Sequence, residues 1–253
     1  MKKTFATFSL LACVALSLVS FNATSDAKSV EQNLRKASNG RFADAPIEVL
    51  GELPLKGFYE VMVGGQYLVV DESASYAFLG GIIDLTTMEN IAETRRNKAK
   101  AAAAEAAIKK LPEDIFVTYS PKSEVKGTVY VYSDPNCGYC KKVHKEVNQY
   151  LAAGIELKYI PYPIFGAKSV EQTRQMMCAD NPEVAMTELM SGTDKGNYKK
   201  SSYPSVCSKL VDMGSESGRS LGITGTPYIY LSTGKVISGY QDAATIIETL
   251  KKG

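Results

Sequence analysis

The chain has no tryptophan, one histidine (His144) and almost no charge imbalance, with a formal net charge of +2 over 253 residues. The missing charge excess removes the electrostatic reason to expect nucleic acid as a partner. A lone histidine makes a histidine-based metal centre a poor fit. Past Val19 no apolar run is long enough to cross a bilayer. Cysteine is sparse, with five in all.

The one long apolar run is at the start. Met1-Lys2-Lys3 is basic, Phe5 to Val19 is almost wholly apolar, and Ser25-Asp26-Ala27 fits a small-x-small cleavage pattern. Residues 1–27 read as a secretory signal peptide, and no membrane insertion is expected after its removal. Leu10-Leu11-Ala12-Cys13 only faintly resembles a lipoprotein box, because Cys13 lies inside the apolar region. Removing the leader leaves Cys137, Cys140, Cys178 and Cys207. An even number of cysteines in an exported chain is consistent with two disulfides.

Residues 28–85 read as a small β-rich domain. Val30, Leu34 and Ala37 have helical spacing. Four β-rich runs follow, at Pro46–Leu50, Gly57–Val63, Gln66–Val70 and Tyr76–Ile83, with Gly64-Gly65 as a two-residue hairpin signal. A piece of roughly 55 residues has a thin core and gains from pairing with a second copy. Thr86-Thr87-Met88-Glu89 reads as a capping box opening a helix. Residues 86–112 then form a linker helix of about 24 residues, roughly 36 Å long. Its alanine-rich centre carries little bulky apolar surface, which predicts a solvated spacer.

Residues 113–253 form the second domain, organised around Cys137-Gly138-Tyr139-Cys140. A β-branched and aromatic run, Gly127–Tyr132, precedes this motif. Val143, Val147, Tyr150 and Leu151 follow at helical spacing. Cys137 therefore falls at a helix N-terminus, where free N–H groups and the helix dipole favour a thiolate. Cys140, one turn on, can close a ring with Cys137. Haem attachment needs a histidine after the second cysteine, and Lys141 stands there. Zinc would need two more ligands, which Cys178 and Cys207 supply on paper. The strand–CxxC–helix context favours redox chemistry, which passes electrons between sulfurs and requires no metal or other cofactor.

Ile115–Tyr119 and Ile155–Ile160 read as further strands, Ser169 to about Leu221 as helical, Tyr228–Leu231 and Lys235–Ile237 as a hairpin, and Ala243–Lys251 as a closing helix. This order, with CxxC at the first strand-to-helix junction, predicts a thioredoxin-like fold with a helical insertion. The chain as a whole is α/β, with an α+β N-terminal domain. In such a fold a proline at the position of Pro227 faces the CxxC motif and is cis. It offers no N–H, and the backbone of Thr226 is free to pair with an extended client chain. Cys178 and Cys207 lie in the insertion with 28 residues between them. A structural disulfide is the favoured reading, with free thiols or a second redox pair as alternatives. A bridge closing such a loop stabilises by roughly 3–4 kcal/mol in the chain-entropy model.

The leader, the small β-rich domain, the linker helix, Cys137-Gly138-Tyr139-Cys140 with His144, Leu221–Pro227 and Gly239-Tyr240-Gln241 resemble bacterial periplasmic disulfide isomerases of the DsbC/DsbG family, closest to the DsbC type. The resemblance implies a homodimer (or trimer) joined through the first domains, with chaperone-like client binding. It implies misfolded disulfide-containing exported proteins as clients, and an inner-membrane thiol reductase of the DsbD type as partner. Cys137 and Cys140 are then catalytic, and Gly138, Tyr139, Thr226 and Pro227 contact the substrate. His144, a single histidine on a helix, reads as a surface or packing residue, with assistance to the thiolate as the alternative. A DsbG-like reductase of protein sulfenic acids and a mainly non-enzymatic periplasmic chaperone are the alternatives.

Overall fold

The structure, a computed structural model, describes residues 25–37, 39–78, 82–194 and 204–252. The expected signal peptide lies outside the described residues up to residue 24, as does Cys13. No helix among the described residues is long and apolar enough to cross a membrane.

Helix α1 (Ser25–Ala37) lays Val30 and Leu34 on an antiparallel sheet of β1 (Ile47–Glu52), β2 (Phe58–Val63), β3 (Gln66–Asp71) and β4 (Ala77–Phe78). Val63 pairs with Gln66 across Gly64 and Gly65, both at positive φ (57° and 82°), which a tight two-residue hairpin requires. The run expected as one strand at Tyr76–Ile83 is split. It supplies β4 and then β5 (Ile83–Asp84), which pairs with β6 (Glu89–Asn90) as a separate ribbon.

The expected capping box is also displaced. Asp84 Oδ1 accepts the backbone N–H groups of Thr86 and Thr87, which holds them in a turn between β5 and β6. Helix α2 (Ile91–Ile108) starts later, capped by Asn90, whose side chain accepts from Glu93 N at 3.2 Å and donates to Glu93 Oε2. Nor is α2 a bare spacer. At its start Ala92 packs with Leu53 and Val69 of the first domain. Further on, Ala101, Ala104 and Ile108 are buried against Tyr132, Tyr162, Tyr228 and Tyr230. These positions share one face at helical spacing, and their small side chains admit close approach to a tyrosine-covered sheet.

That sheet has five strands in the order β11-β10-β8-β9-β7, where β7 is Val117–Tyr119, β8 Gly127–Ser133, β9 Ile155–Pro161, β10 Tyr228–Leu231 and β11 Lys235–Ser238. Only β8 and β9 are parallel, as a βαβ unit demands. Between them run α3 (Gly138–Lys145) and α4 (Val147–Ala152), one helix in expectation but broken at Glu146. Then come α5 (Ala167–Met177), α6 (Pro182–Ser191), α7 (Ser205–Ser220) and the closing α8 (Ala243–Lys252). Cys178, at the end of α5, is disulfide-bonded to Cys207 in the first turn of α7, with Cα atoms 5.3 Å apart.

Candidate active site

Strand β8 ends at Ser133, and Asp134-Pro135-Asn136 carries the chain to the cysteines. Cys137 caps α3, and its Sγ accepts from Cys140 N at 3.4 Å. The Thr226–Pro227 peptide bond is cis. The Cys137 thiol donates to the Thr226 carbonyl at 3.1 Å, so the loop before β10 and the start of α3 meet at this sulfur. Both cysteines are free thiols, Cys137 being 4% exposed and Cys140 fully buried.

The two thiols are driven apart electrostatically. A hydrogen bond from the Cys140 thiol holds Cys137 well below the ordinary thiol range. Burial opposes this, while the Thr226 side chain and the N–H groups of Cys140 and Tyr139 add to it. Cys140 moves far up, chiefly through burial and then through its bond to Cys137. Cys137 is thus the thiol that ionises readily, and Cys140, buried completely, the one that resists it. Beside the cis bond a cleft of about 740 Å³ runs between the two halves of the chain, lined by Tyr67, Phe78, Arg96, Thr224, Thr226 and Tyr228 among others.

Residues 113–253 match the thioredoxin-like domain family, and residues 21–93 match the disulfide bond isomerase protein N-terminal domain. The chain belongs to the DsbC/DsbG family. It is 27% identical to the thiol:disulfide interchange protein DsbC of Haemophilus influenzae over 250 residues, covering 97% of each chain. It is also 27% identical to DsbC of Escherichia coli K12 over 252 residues, covering 99% of this chain and 96% of the other. Among solved structures, Proteus mirabilis ScsC in a transitional conformation aligns with a TM-score of 0.50 at 21% identity, covering 64% of this chain and 88% of that one. That likeness speaks for the fold. As a member of this family the chain is an enzyme, a thiol:disulfide interchange protein.

The structure gathers Cys137, Cys140, Thr226 and Pro227 at one point. Gly138 and Tyr139 lie on the exposed first turn of α3. A Cβ at Gly138 would meet nothing within 4 Å, so space alone does not demand glycine there. His144 is buried in the core: its ring packs on Tyr119 and Tyr159, and Nε2 lies 3.3 Å from Thr187 Oγ1. Burial lowers its pKa to about 4, so it is neutral at physiological pH.

Sequence reasoning passed over Asp134. Its fully buried carboxylate takes four hydrogen bonds. Asn136 N and Ser169 Oγ donate to Oδ1, and Ile164 N and Phe165 N donate to Oδ2, at 2.7 to 3.0 Å. Asn136 in turn donates to Ser169 Oγ and Gln172 Oε1. The approach to Cys137 is therefore tied to the loop after β9 and the first turns of α5. A carboxylate directly before the proline of a strand-ending Asp-Pro-Asn was the signal available.

Proposed function

We propose that this enzyme reshuffles wrong disulfides in exported proteins of the periplasm, acting as an isomerase and, when a client fails to rearrange, as a reductase. The Cys137 thiolate attacks one sulfur of a client disulfide. The Cys137–client S–S bond forms as the client S–S bond breaks, and the other client sulfur leaves as a thiolate. That thiolate can attack a second client disulfide, and the client thiolate so freed then attacks the client sulfur of the mixed disulfide. A new client S–S bond forms as the Cys137–client bond breaks, and Cys137 leaves as the thiolate it began as. Otherwise Cys140 displaces the client, closing Cys137–Cys140. Its proton passes to the departing client thiolate, and the enzyme must then be reduced again.

The observation that carries this reading is the opposite displacement of the two thiols. A low Cys137 gives fast attack. A buried, high Cys140 makes the resolving step slow, leaving time for the client to rearrange. The Thr226 backbone opposite the sulfur suits an extended client strand, with Gly138, Tyr139 and Pro227 beside it. The adjoining cleft offers room for a partly unfolded chain and for chaperone-like holding. A second copy joined through the N-terminal domain, re-reduction by a membrane thiol reductase of the DsbD type, and delivery by the leader belong to the same reading. So does a structural role for Cys178–Cys207.

The test is reactivation of scrambled ribonuclease in a glutathione buffer, run beside insulin reduction. Cys137→Ala is expected to abolish both activities. Cys140→Ala is expected to abolish catalytic reduction while keeping measurable isomerisation. Full reactivation by the Cys137→Ala protein would leave only the holding role.

A further inference from the structure

Next to Cys137 is a surface that the sulfur chemistry does not use. The ring of Tyr139, 56% exposed, stacks on that of Tyr240 with centroids 6.1 Å apart and planes 25° from parallel. Tyr240 is pinned from behind, since its hydroxyl donates to Glu146 Oε1 at 2.7 Å. Glu146 Oε2 accepts the Ala243 N–H at 2.9 Å. Glu146 is also the residue at which α3 breaks from α4, so the break, the start of α8 and the tyrosine pair form one assembly. Lys142 Nζ sits over both rings, 5.0 Å from the Tyr139 centroid and 5.6 Å from that of Tyr240.

Lys142 is exposed and, among the described residues, makes these ring contacts but no salt bridge. From Cys137 to Lys145 the chain holds three lysines and no carboxylate. The nearby acids are already engaged: Glu146 accepts from Tyr240 and Ala243, and Asp242, exposed at the start of α8, accepts from Thr245 N and Oγ1. A rigid aromatic pair capped by an unpaired ammonium, one turn from a reactive sulfur, has no role in the core.

We propose that Tyr139, Tyr240 and Lys142 form a docking platform for the client segment flanking the attacked disulfide. It favours segments with an acidic side chain beside the cysteine. The carboxylate meets Lys142, and the apolar part of the segment lies along the rings. This rests on the reading that Cys137 attacks client disulfides, and it names the client chemistry that the site prefers. An exposed ion pair of this kind is worth roughly a two- to fivefold preference at low salt, fading as salt screens it.

The experiment uses the full reduced protein and two disulfide peptides with the same leaving thiol, differing only in aspartate or lysine beside the cysteine. Single-turnover rates are compared as a ratio, in which any change in Cys137 itself cancels. The expected ratio favours the aspartate peptide at low salt, falls towards one at high salt, and inverts in Lys142→Glu. Lys142→Met, which keeps the stem without the charge, is expected to bring it near one. Tyr240→Phe, which frees the ring from Glu146, is expected to lower it in part. A wild-type ratio of one, or a ratio untouched by Lys142→Glu and Lys142→Met, overturns the platform. Attack that persists in Cys137→Ala overturns the underlying reading instead.

Discussion

The two sheets of this molecule solve the same problem unequally. The five-stranded sheet is covered on both faces, by the α3-to-α8 helices on one side and by α2 and a set of tyrosines on the other. Its strands β8 and β9 are accordingly buried on both faces towards their C-terminal ends, at Val131–Ser133 and Tyr159–Pro161, while Glu156 and Lys158 alternate with buried residues at the start of β9. The four-stranded sheet has one helix, α1, over a small cluster. Around it Leu85, Met88, Tyr76 and Ile83 remain 83, 73, 72 and 54% exposed. The catalytic half covers both faces of its sheet within one chain, whereas the first half leaves a cluster of large apolar side chains at the surface that a second copy or a client would cover. The difference is one of layers, and α2, which touches both sheets, is where it can be tested.

The largest effect should come from cutting the chain on either side of α2. A chain starting at Glu113 keeps the cysteines but strips Ala101, Ala104 and Ile108 from the tyrosine face. Losing that burial costs about 4 kcal/mol as an upper figure, or on the order of 10 °C in Tm. A chain starting at Ile91 keeps the layer. It should melt well above the shorter chain, run as a monomer in light scattering, reduce insulin, and reshuffle scrambled ribonuclease poorly. Equal melting of the two chains would mean that α2 does not belong to the catalytic half. Efficient isomerisation by the longer one would remove the case for assembly.

Much of this was legible in the residues. Cysteine spacing, a β-branched strand before it and apolar helical spacing after it located the site. Local rules govern each of these features, whereas the Gly-Thr-Pro turn was set opposite the cysteines only through the fold it was read into. What escaped was non-local. The alanines of α2 look solvated until a flat tyrosine surface is set against them. Gly214 and Gly218 resemble ordinary polar-helix residues, yet a Cβ on Gly214 would lie 2.2 Å from the Pro161 carbonyl oxygen and one on Gly218 2.4 Å from the Tyr162 ring. Their meaning exists only once α7 rests on the end of β9. Asp134 was hidden likewise, since three of its four donors are about 30 residues further along the chain. The capping box failed through competition, with Asp84 claiming the N–H groups that a helix start would have left free.

Acid should separate the halves next. Burial depresses His144 in the catalytic half to about 4 from an ordinary 6.5. The unfolded chain therefore takes up that proton first. The stability it confers is full above about pH 6.5 and is lost as pH falls towards 4. Between pH 7.5 and 5 the loss is about 2 kcal/mol. In the first half, burial tends to raise Asp71, but hydrogen bonds from Ser73 and Tyr76 outweigh it. Backbone N–H groups of Thr86 and Thr87 lower Asp84. Both carboxyls sit below the usual range, so their contribution is lost only in stronger acid. Denaturant unfolding at several pH values should show this loss, and His144→Leu should flatten it. An unchanged slope in the variant would assign the acid sensitivity elsewhere.

The smallest expected effect lies at the joint between the halves. Glu60 on β2 is 4% exposed, and its carboxylate has two partners. The Tyr67 hydroxyl donates to Oε1 from the neighbouring strand, and Arg95 Nη1 of α2 lies 2.5 Å from Oε2. Removing one partner of a fully buried pair costs several kcal/mol, because a bare charge is left behind. Here Arg95 is 39% exposed on its side chain, so water can replace part of what it supplies. Arg95→Met keeps the aliphatic stem and should cost about 1 kcal/mol, read as a shift in the denaturant midpoint. If the cost arises from stranding the carboxylate, it should shrink when Glu60 is changed to Gln in the same protein, because the neutral amide no longer needs the guanidinium. A cost that stays the same in the Glu60→Gln background would place Arg95's contribution in its packing on α2, and the joint would then be held by shape rather than charge.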